Sequence, residues 1–143
     1  MIYFTLACEP QGKGRPRFYN KGNYTGTYTP QKTVDYENEV KKAYIAQCKG
    51  ERYEKGIGLE LTIKAYFRPP KNTSNKRLGL MVEKKIRPTK KPDLDNVAKA
   101  IADALNGLAY HDDSQIVTLH IEKYYDIFPR IEVEIQESNE VVK

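Results

Sequence analysis

A chain of 143 residues with 39% hydrophobic and 30% charged residues has the size and composition of one soluble globular domain. It contains neither an apolar run of membrane-spanning length nor the basic start of a signal peptide, so we expect a cytoplasmic protein with no membrane partner. Its two cysteines, Cys8 and Cys48, fit neither a disulfide framework nor a zinc site, and we expect reduced, mostly buried thiols.

The net charge of +5 is concentrated in two segments. Residues 10–32 contain five basic residues and no acidic one, and residues 71–91 contain eight basic residues against Glu83 alone. Such segments are typical of proteins that bind the phosphate backbone of a nucleic acid. Solvated lysine-rich loops would give the same pattern, so charge alone does not decide the function.

The first half of the chain predicts four elements. They are a strand over residues 2–8, a hairpin turning at residues 20–23, a helix from Thr29-Pro30 to Gly50, and a strand over residues 59–67. Alternation of apolar and polar residues predicts the strands, and proline after a capping residue predicts the helix start. Within this helix, Tyr36, Val40, Ala43 and Tyr44 recur at helical spacing.

The second half predicts a long basic loop, a helix, two strands and a tail. The loop covers residues 68–91, with a helical turn or two near residues 78–82, and the helix covers residues 94–106. The strands cover residues 115–125 and 130–136, and a disordered tail covers residues 137–143. The helical repeat comprises Leu94, Val97, Ala98, Ile101, Leu105 and Leu108. We expect Gly107 to end this helix.

Val117, Leu119 and Ile121 are predicted to share one face of the first late strand. A turn at residues 126–129 is predicted to join the two late strands as a hairpin. Together the elements predict a single α+β domain over residues 1–143. In it, a mixed or antiparallel sheet carries two main helices on one face.

Four aspartates flank the predicted helix 94–106. Asp93 and Asp95 precede or begin it, where carboxylates commonly cap a helix, and Asp112 and Asp113 follow it in a sequence that suits a turn. If residues 107–112 return along the helix, these carboxylates gather and predict a site for Mg²⁺ or Mn²⁺. Lys99 is either the i,i+4 salt-bridge partner of Asp95 or an ammonium beside a scissile phosphate.

The sequence "PDLDNVAKAIADALNG" followed by "DDSQI" resembles the signature of the RusA family of Holliday-junction resolvases. In that family a D-x-D-N-x-x-K segment is followed about twenty residues later by a pair of aspartates, and the likeness covers residues 92–116. The stretch "EPQGKGRPRF" is similar to the basic segment that follows the family's first strand. Residues 71–92 are similar to the lysine-rich insertion of its phage and prophage branch.

The resemblance implies a bacterial or phage-encoded enzyme of DNA recombination and repair. Its homodimer would cut four-way junctions symmetrically with Mg²⁺, for which Mn²⁺ is a plausible substitute, and would leave 5′-phosphate and 3′-hydroxyl ends. By the same resemblance Asp93, Asp95 and Asp113 are the catalytic metal ligands, with Asp112 as a candidate fourth. Lys99 is the catalytic basic residue.

The basic segments are expected to hold the junction arms through phosphates. The candidate DNA-binding residues are Lys13, Arg15, Arg17, Lys84, Lys85, Arg87, Lys90 and Lys91. Tyr19, Tyr24 and Tyr28 either stack on exposed bases or pack within the ribbon. His111 is predicted to be a loop histidine, and His120 lies in a strand without an evident partner.

Two other functions remain open at this point. The first is a branched-DNA-binding protein without activity, whose aspartates only cap and turn the chain. The second is a metal-dependent nuclease acting on flaps or replication forks.

Overall fold

The computed structural model describes residues 1–139, whose main sheet has four strands. The sheet has the order β1-β6-β4-β5, with strands Ile2–Leu6 (β1), Leu59–Phe67 (β4), Ile116–Tyr125 (β5) and Arg130–Glu137 (β6). β6 pairs antiparallel with both β1 and β4, whereas β5 pairs parallel with β4. The sheet is therefore mixed, and the predicted α+β class is confirmed.

Two helices cover the apolar face of this sheet, α1 (Gln31–Cys48) and α3 (Leu94–Leu105). Their buried residues, among them Val40, Tyr44 and Ile101, form one core with the inward side chains of β1, β4 and β6. α1 begins after Pro30 and ends at Lys49, which adopts the left-handed conformation with φ 51°. Both main helices therefore lie where the sequence predicts them.

Strands Arg17–Lys21 (β2) and Tyr24–Tyr28 (β3) form a separate two-stranded ribbon. The turn between them contains Gly22, whose φ of 65° is easily adopted only by a residue without a Cβ atom. No residue of either strand belongs to the core. The predicted hairpin is confirmed, and it is an exposed element.

The predicted hairpin between the last two strands is wrong, because β4 lies between β5 and β6. The chain passes from β4 through α3 to β5, and a crossover of this kind brings β5 back parallel to β4. Only the other edge of β4 remains for β6. Residues 126–129 accordingly cross the end of β4, where the Asp126 N–H donates to the Phe67 carbonyl over 3.0 Å.

Two of the three residues predicted to share an apolar face of β5 are largely exposed: Val117 is 49% exposed and Leu119 is 46% exposed. Val117 is the extra residue at a register shift, since Ile116 pairs with Leu59 and Thr118 with Glu60. β5 is also the last strand of the sheet, so no further strand covers its outer edge. Leu94, at the start of α3, is likewise 41% exposed and not a core residue.

The long basic segment contains a third helix, α2 (Asn75–Val82), which buries Met81. Glu137 still belongs to β6 and the Ser138 N–H donates to the Gly58 carbonyl over 2.8 Å, so the predicted disordered tail is bound to the fold at its start. Residues 140–143 of that tail lie outside the described residues. Cys8 and Cys48 are free, half-buried thiols, and burial raises the pKa of Cys8 to about 11. No helix within residues 1–139 is long and apolar enough to cross a membrane.

Burial of α3 against the sheet can be tested with two isoleucines that both lie in helices. Ile101 is fully buried, whereas Ile45 in α1 is 54% exposed. We expect Ile101→Ala to lower the free energy of unfolding by about 2–5 kcal/mol through lost apolar burial and a residual cavity. Ile45→Ala changes helix propensity equally but should cost less than about 0.5 kcal/mol. Equal losses in urea denaturation would contradict this packing.

Candidate active site

Asp93 occupies the N-cap position of α3 but does not cap it with its side chain. Its backbone is extended, with φ −68° and ψ 154°, and its carbonyl accepts the Val97 N–H over 3.0 Å. The carboxylate makes no cap hydrogen bond and is exposed to solvent. Side-chain capping therefore does not account for this aspartate, which has ligand atoms free.

Asp95 and Lys99 are both exposed and lie one helical turn apart on the same side of α3. In the part of the chain that the structure describes, no salt bridge joins them, so the i,i+4 ion pair considered above is not formed. Ala102 and Asn106 continue the same side of the helix, at i+7 and i+11 from Asp95. This side carries an acid, a base and an amide from one end of α3 to the other.

The segment after α3 folds back against the last turns of the helix. Tyr110 is fully buried and its hydroxyl donates to the Ala102 carbonyl over 2.6 Å. The Asp113 N–H donates to Asn106 Oδ1 over 3.1 Å. Burial is the largest cause of the raised pKa of Tyr110, and the negative charges of Asp113 and Asp103 raise this pKa further. The return of residues 107–112, on which the predicted metal site depends, thus occurs, but it reaches only the second half of α3.

Asp113 and Lys99 both line an open depression between α3 and β5. Its other lining residues are apolar: Leu61, Ala98, Ala102, Ile116 and Leu119. The carboxylate of Asp113 accepts no hydrogen bond from the described residues, in contrast to that of its neighbour. Asp113 therefore shares this depression with the predicted catalytic lysine and keeps its oxygens free.

Asp112 has a structural role at the start of a short 3-10 helix, Asp113–Gln115. Its Oδ2 accepts hydrogen bonds from the Ser114 hydroxyl and, over 3.1 Å, from the Ser114 N–H. These hydrogen bonds lower the pKa of Asp112. The turn-forming interpretation thus applies to Asp112, and its oxygens are less available to a metal than those of Asp113.

Gln115 and Asn106 position the site, and the sequence analysis missed both. Gln115 Oε1 accepts the N–H groups of His111 and Asp112 over 2.9 and 3.0 Å. Its Nε2 donates to the carbonyls of Glu54 and Ile57 over 2.8 and 3.1 Å. The spacing Asp112-x-x-Gln115 is that of a capping box, which was the available signal for Gln115. No local pattern indicates that Asn106 holds Asp113.

The four predicted ligands do not assemble into a metal site within one chain. Among residues 1–139, no three His, Cys, Asp or Glu side chains lie close enough together to hold one ion. Asp93 precedes Asn106 by thirteen residues, or about 20 Å along the helix axis, and it is to Asn106 that the Asp113 N–H donates. Free carboxylates are the donors that Mg²⁺ prefers, so the residue types fit the ion while a single chain does not complete the site.

Lys13, predicted to bind DNA, has its ammonium between two carboxylates instead. It pairs with Glu37 of α1 and, over 3.2 Å, with Asp103 of α3, and only 18% of its side chain is exposed. Burial alone would lower the pKa of Lys13, but the two carboxylates outweigh burial and raise it. The Lys13 N–H also donates to the Asn96 carbonyl over 3.0 Å, which ties residues 10–16 to the start of α3.

Other predicted DNA-binding residues surround Asp93. Residues 10–17 and the start of α3 line an open groove whose rim carries Arg15, Arg17, Lys32 and Lys91. The approach is close, because a Cβ atom on Gly12 would lie 2.8 Å from the Pro92 Cβ. A negatively charged strand in this groove would pass the Asp93 carboxylate.

The rest of the basic segment packs against the end of β5. Lys84 and Arg87 lie 4.7 and 4.6 Å from the Tyr124 ring centroid, and Arg87 Nε donates to the Lys123 carbonyl over 2.9 Å. The Lys123 ammonium donates in turn to the carbonyls of Lys90 and Pro92. Lys85 is exposed beside Glu83. Contact of these cations with DNA stays a prediction.

The two histidines take no part in this arrangement. His111 is exposed in the loop after α3, and His120 Nε2 lies 3.3 Å from Glu60 Oε1 across the β4–β5 pair. His120 therefore has a partner that the sequence did not indicate.

Comparison with known proteins identifies the family. The family model for endodeoxyribonuclease RusA matches residues 7–136. The chain belongs to the RusA family. It is 36% identical over 141 residues to the uncharacterized protein YqaN of Bacillus subtilis (strain 168), covering 95% of this chain and 96% of YqaN. It is 30% identical over 130 residues to the crossover junction endodeoxyribonuclease rusA of Lactococcus phage r1t, covering 87% and 81% of the two chains.

Membership of the RusA family confirms the resemblance drawn from residues 92–116. The match begins directly after β1 and extends into β6, so the groove, the ribbon and α3 all lie within the family's own domain. It makes the protein a member of a nuclease family, which disfavours a purely structural role for its aspartates.

Lys13 either stabilises the fold through its ion pairs or contacts DNA, and a substitution distinguishes these two roles in this RusA-family chain. We expect Lys13→Met to lower the free energy of unfolding by about 1–3 kcal/mol, because Glu37 and Asp103 are left without their cation. Lys42→Met, which removes a 74% exposed lysine paired with Glu39, should cost less than about 0.5 kcal/mol. Urea denaturation measures both. A Lys13→Met protein of normal stability but weakened DNA binding would instead assign this lysine to the nucleic acid.

Proposed function

We propose that this protein resolves four-way DNA junctions by metal-dependent hydrolysis of phosphodiester bonds, with two copies of the chain acting together. The match to the RusA endodeoxyribonuclease family supports Holliday-junction resolution. The proposal also includes a divalent metal, its ligands and a dimer. The arrangement of α3 and the residues around it supports these three parts.

The observation that carries the proposal is the contrast between the four aspartates. Asp112 has hydrogen bonds from its own turn, whereas Asp93, Asp95 and Asp113 keep their carboxylates free of hydrogen bonds from the described residues. Unneutralised carboxylates beside a phosphate groove would repel the substrate unless a cation binds them. We therefore assign these three, and not Asp112, as the metal ligands.

A bound Mg²⁺ ion would supply Lewis acidity for water activation and for the charge of the leaving oxygen. The residues of the chain perform the other tasks. Arg15, Arg17 and Lys91 hold a strand in the groove through its phosphates. Lys99, which has no ion-pair partner among the described residues, lines the same depression as Asp113, and its ammonium would stabilise negative charge on the phosphate.

A second copy of the chain would complete the site. The depression beside Lys99 and Asp113 has an apolar lining, and Leu119 and Val117 remain largely exposed at the free edge of β5. An apolar surface at a sheet edge is typical of one that another chain covers. We propose a two-fold arrangement over this surface in which Asp93 and Asp95 of one chain and Asp113 of the other form each of two symmetric sites.

The ligand assignment predicts unequal effects of four isosteric substitutions. Asp93→Asn, Asp95→Asn and Asp113→Asn should each reduce junction cleavage by at least about a hundred-fold, a typical cost of losing a group that stabilises transition-state charge. Junction binding should persist, because the phosphate contacts are untouched. Asp112→Asn is the matched control and should cleave within about ten-fold of wild type, because an amide oxygen can still accept the two turn hydrogen bonds from Ser114. Equal defects at Asp112 and Asp113 would contradict the assignment.

Sharing of the site between two chains predicts complementation. Asp95→Asn and Asp113→Asn are each inactive alone, but a mixed dimer contains one site with both substitutions and one site with neither. Unfolding and refolding the two proteins together should therefore restore single-strand nicking of a labelled junction. Refolding Asp93→Asn with Asp95→Asn is the control and should restore nothing, because both lie on the same side of the interface. Absence of nicking in the first mixture would place all ligands of a site in one chain.

A further inference from the structure

The ribbon β2–β3 exposes aromatic rings to an extent unusual for a surface element. Phe18 is 78% exposed, Tyr24 63%, Tyr28 51% and Tyr19 39%. None of them belongs to the core, so packing within the fold does not account for their presence. Large exposed aromatic clusters commonly mark a binding surface.

The pairing of the two strands sorts these residues onto two faces. Arg17 lies opposite Tyr28, Tyr19 opposite Gly26, and Lys21 opposite Tyr24. Cross-strand partners share a face, so one face carries the three tyrosines and both cations. We call this set, Arg17, Tyr19, Lys21, Tyr24 and Tyr28, the tyrosine face. The other face carries Phe18 with Asn20, Thr25 and Thr27.

Gly26 lets the tyrosine face form a continuous aromatic surface. A Cβ atom at this position would lie 2.4 Å from the Tyr19 hydroxyl, so the Tyr19 ring lies directly over the glycine. The ring centroids of Tyr24 and Tyr28 are 6.1 and 6.3 Å from that of Tyr19. Three rings are therefore presented side by side, with Tyr19 in the middle.

The charges on this face suit a polyanion. Neither Arg17 nor Lys21 takes part in a salt bridge among the described residues, and no acidic side chain occurs between residues 10 and 32. Each cation stands directly across the ribbon from a terminal tyrosine. A nucleotide offers both matching groups, since its base stacks on a ring while its phosphate contacts a cation.

The ribbon also lies close to the proposed catalytic groove. Arg17 begins β2 and lines the same groove as Asp93 and Asn96. The preceding residues 10–16 are fixed to the start of α3 through Lys13 and through the contact of Gly12 with Pro92. A base on the tyrosine face would therefore belong to the strand that enters the groove.

We propose that the tyrosine face binds unstacked bases at the branch point of a DNA junction, with Tyr19 as the central stacking platform and Arg17 and Lys21 on the adjoining phosphates. This inference rests on the proposed function and adds the element that recognises a branch as distinct from continuous duplex. Bases inside a duplex have no free face to offer, whereas bases at a crossover can unstack.

The test measures affinity in EDTA for a labelled four-way junction and for a duplex of the same length. Tyr19→Leu removes the ring and should weaken junction binding roughly 5- to 150-fold, the range for losing one base–aromatic stack, with a much smaller effect on duplex. Tyr19→Phe keeps the ring and should bind within about two-fold of wild type. Phe18→Leu is the matched control on the opposite face and should also bind within about two-fold.

A second junction, with abasic sites at the nucleotides that flank the branch, makes the test specific for stacking. If Tyr19 contacts a base there, Tyr19→Leu and wild type should bind this junction equally, because the partner of the ring is already absent. An undiminished difference on the abasic junction would overturn the proposal. So would equal losses in Tyr19→Leu and Phe18→Leu, or a change in the sedimentation of Tyr19→Leu, which would make the ribbon a protein–protein interface.

Cleavage of the same intact junction by wild type in Mg²⁺ distinguishes failure of the proposed function from failure of the inference about the tyrosine face. If wild type neither binds nor cuts the junction, the proposed function fails, and the inference fails with it. If wild type cuts it while Tyr19→Leu binds as tightly as wild type, only the role of the tyrosine face is refuted.

Discussion

Helix α3 can occupy only one rotation about its axis, and the rest of the site depends on this constraint. Val97, Ile101 and Leu105 are fully buried against the sheet, and exposing them would cost several kcal/mol of apolar burial. The helical period then forces Asp95 and Lys99 outward. The core thus fixes the direction of the polar groups that the proposed chemistry requires, although none of those groups contributes to the core.

The ends of α3 are fixed by two further sets of contacts. At the N-terminal end, Lys13 joins α1 to α3 and draws the glycine- and proline-rich residues 10–16 against Pro92 and Asn96, so that the groove and the ribbon begin next to Asp93. At the C-terminal end, Asn106 and Gln115 hold the loop that carries Asp113. Proposed chemistry and proposed DNA recognition are therefore connected through the same helix.

Much of this arrangement follows from local sequence. The parts that do not follow from it have one physical cause in common. Periodicity predicts α1, α3 and the strands of the main sheet, because each repeat reflects one buried face, whereas the exposed ribbon is predicted by its turn residues. Periodicity carries no information on strand order, so the insertion of β4 between β5 and β6 could not be read from the chain. The same limit explains Leu119, which looks like a core residue locally but lies at a sheet edge, and Lys13, whose partners Glu37 and Asp103 are distant in sequence. The preference for Asp113 over Asp112 came from the family resemblance, and the hydrogen bonds of the turn supply a physical reason for it.

Mapping of the incisions on DNA tests the central claim most directly. Purified protein is incubated in Mg²⁺ with a four-way junction labelled in turn on each strand, and with flap, fork and duplex DNA of matching sequence. The account predicts paired incisions at symmetry-related phosphates of two opposing strands in the junction, with no comparable cleavage of the other substrates and none in EDTA. Equal cleavage of flap or fork DNA, or junction binding without any incision in Mg²⁺, would contradict it.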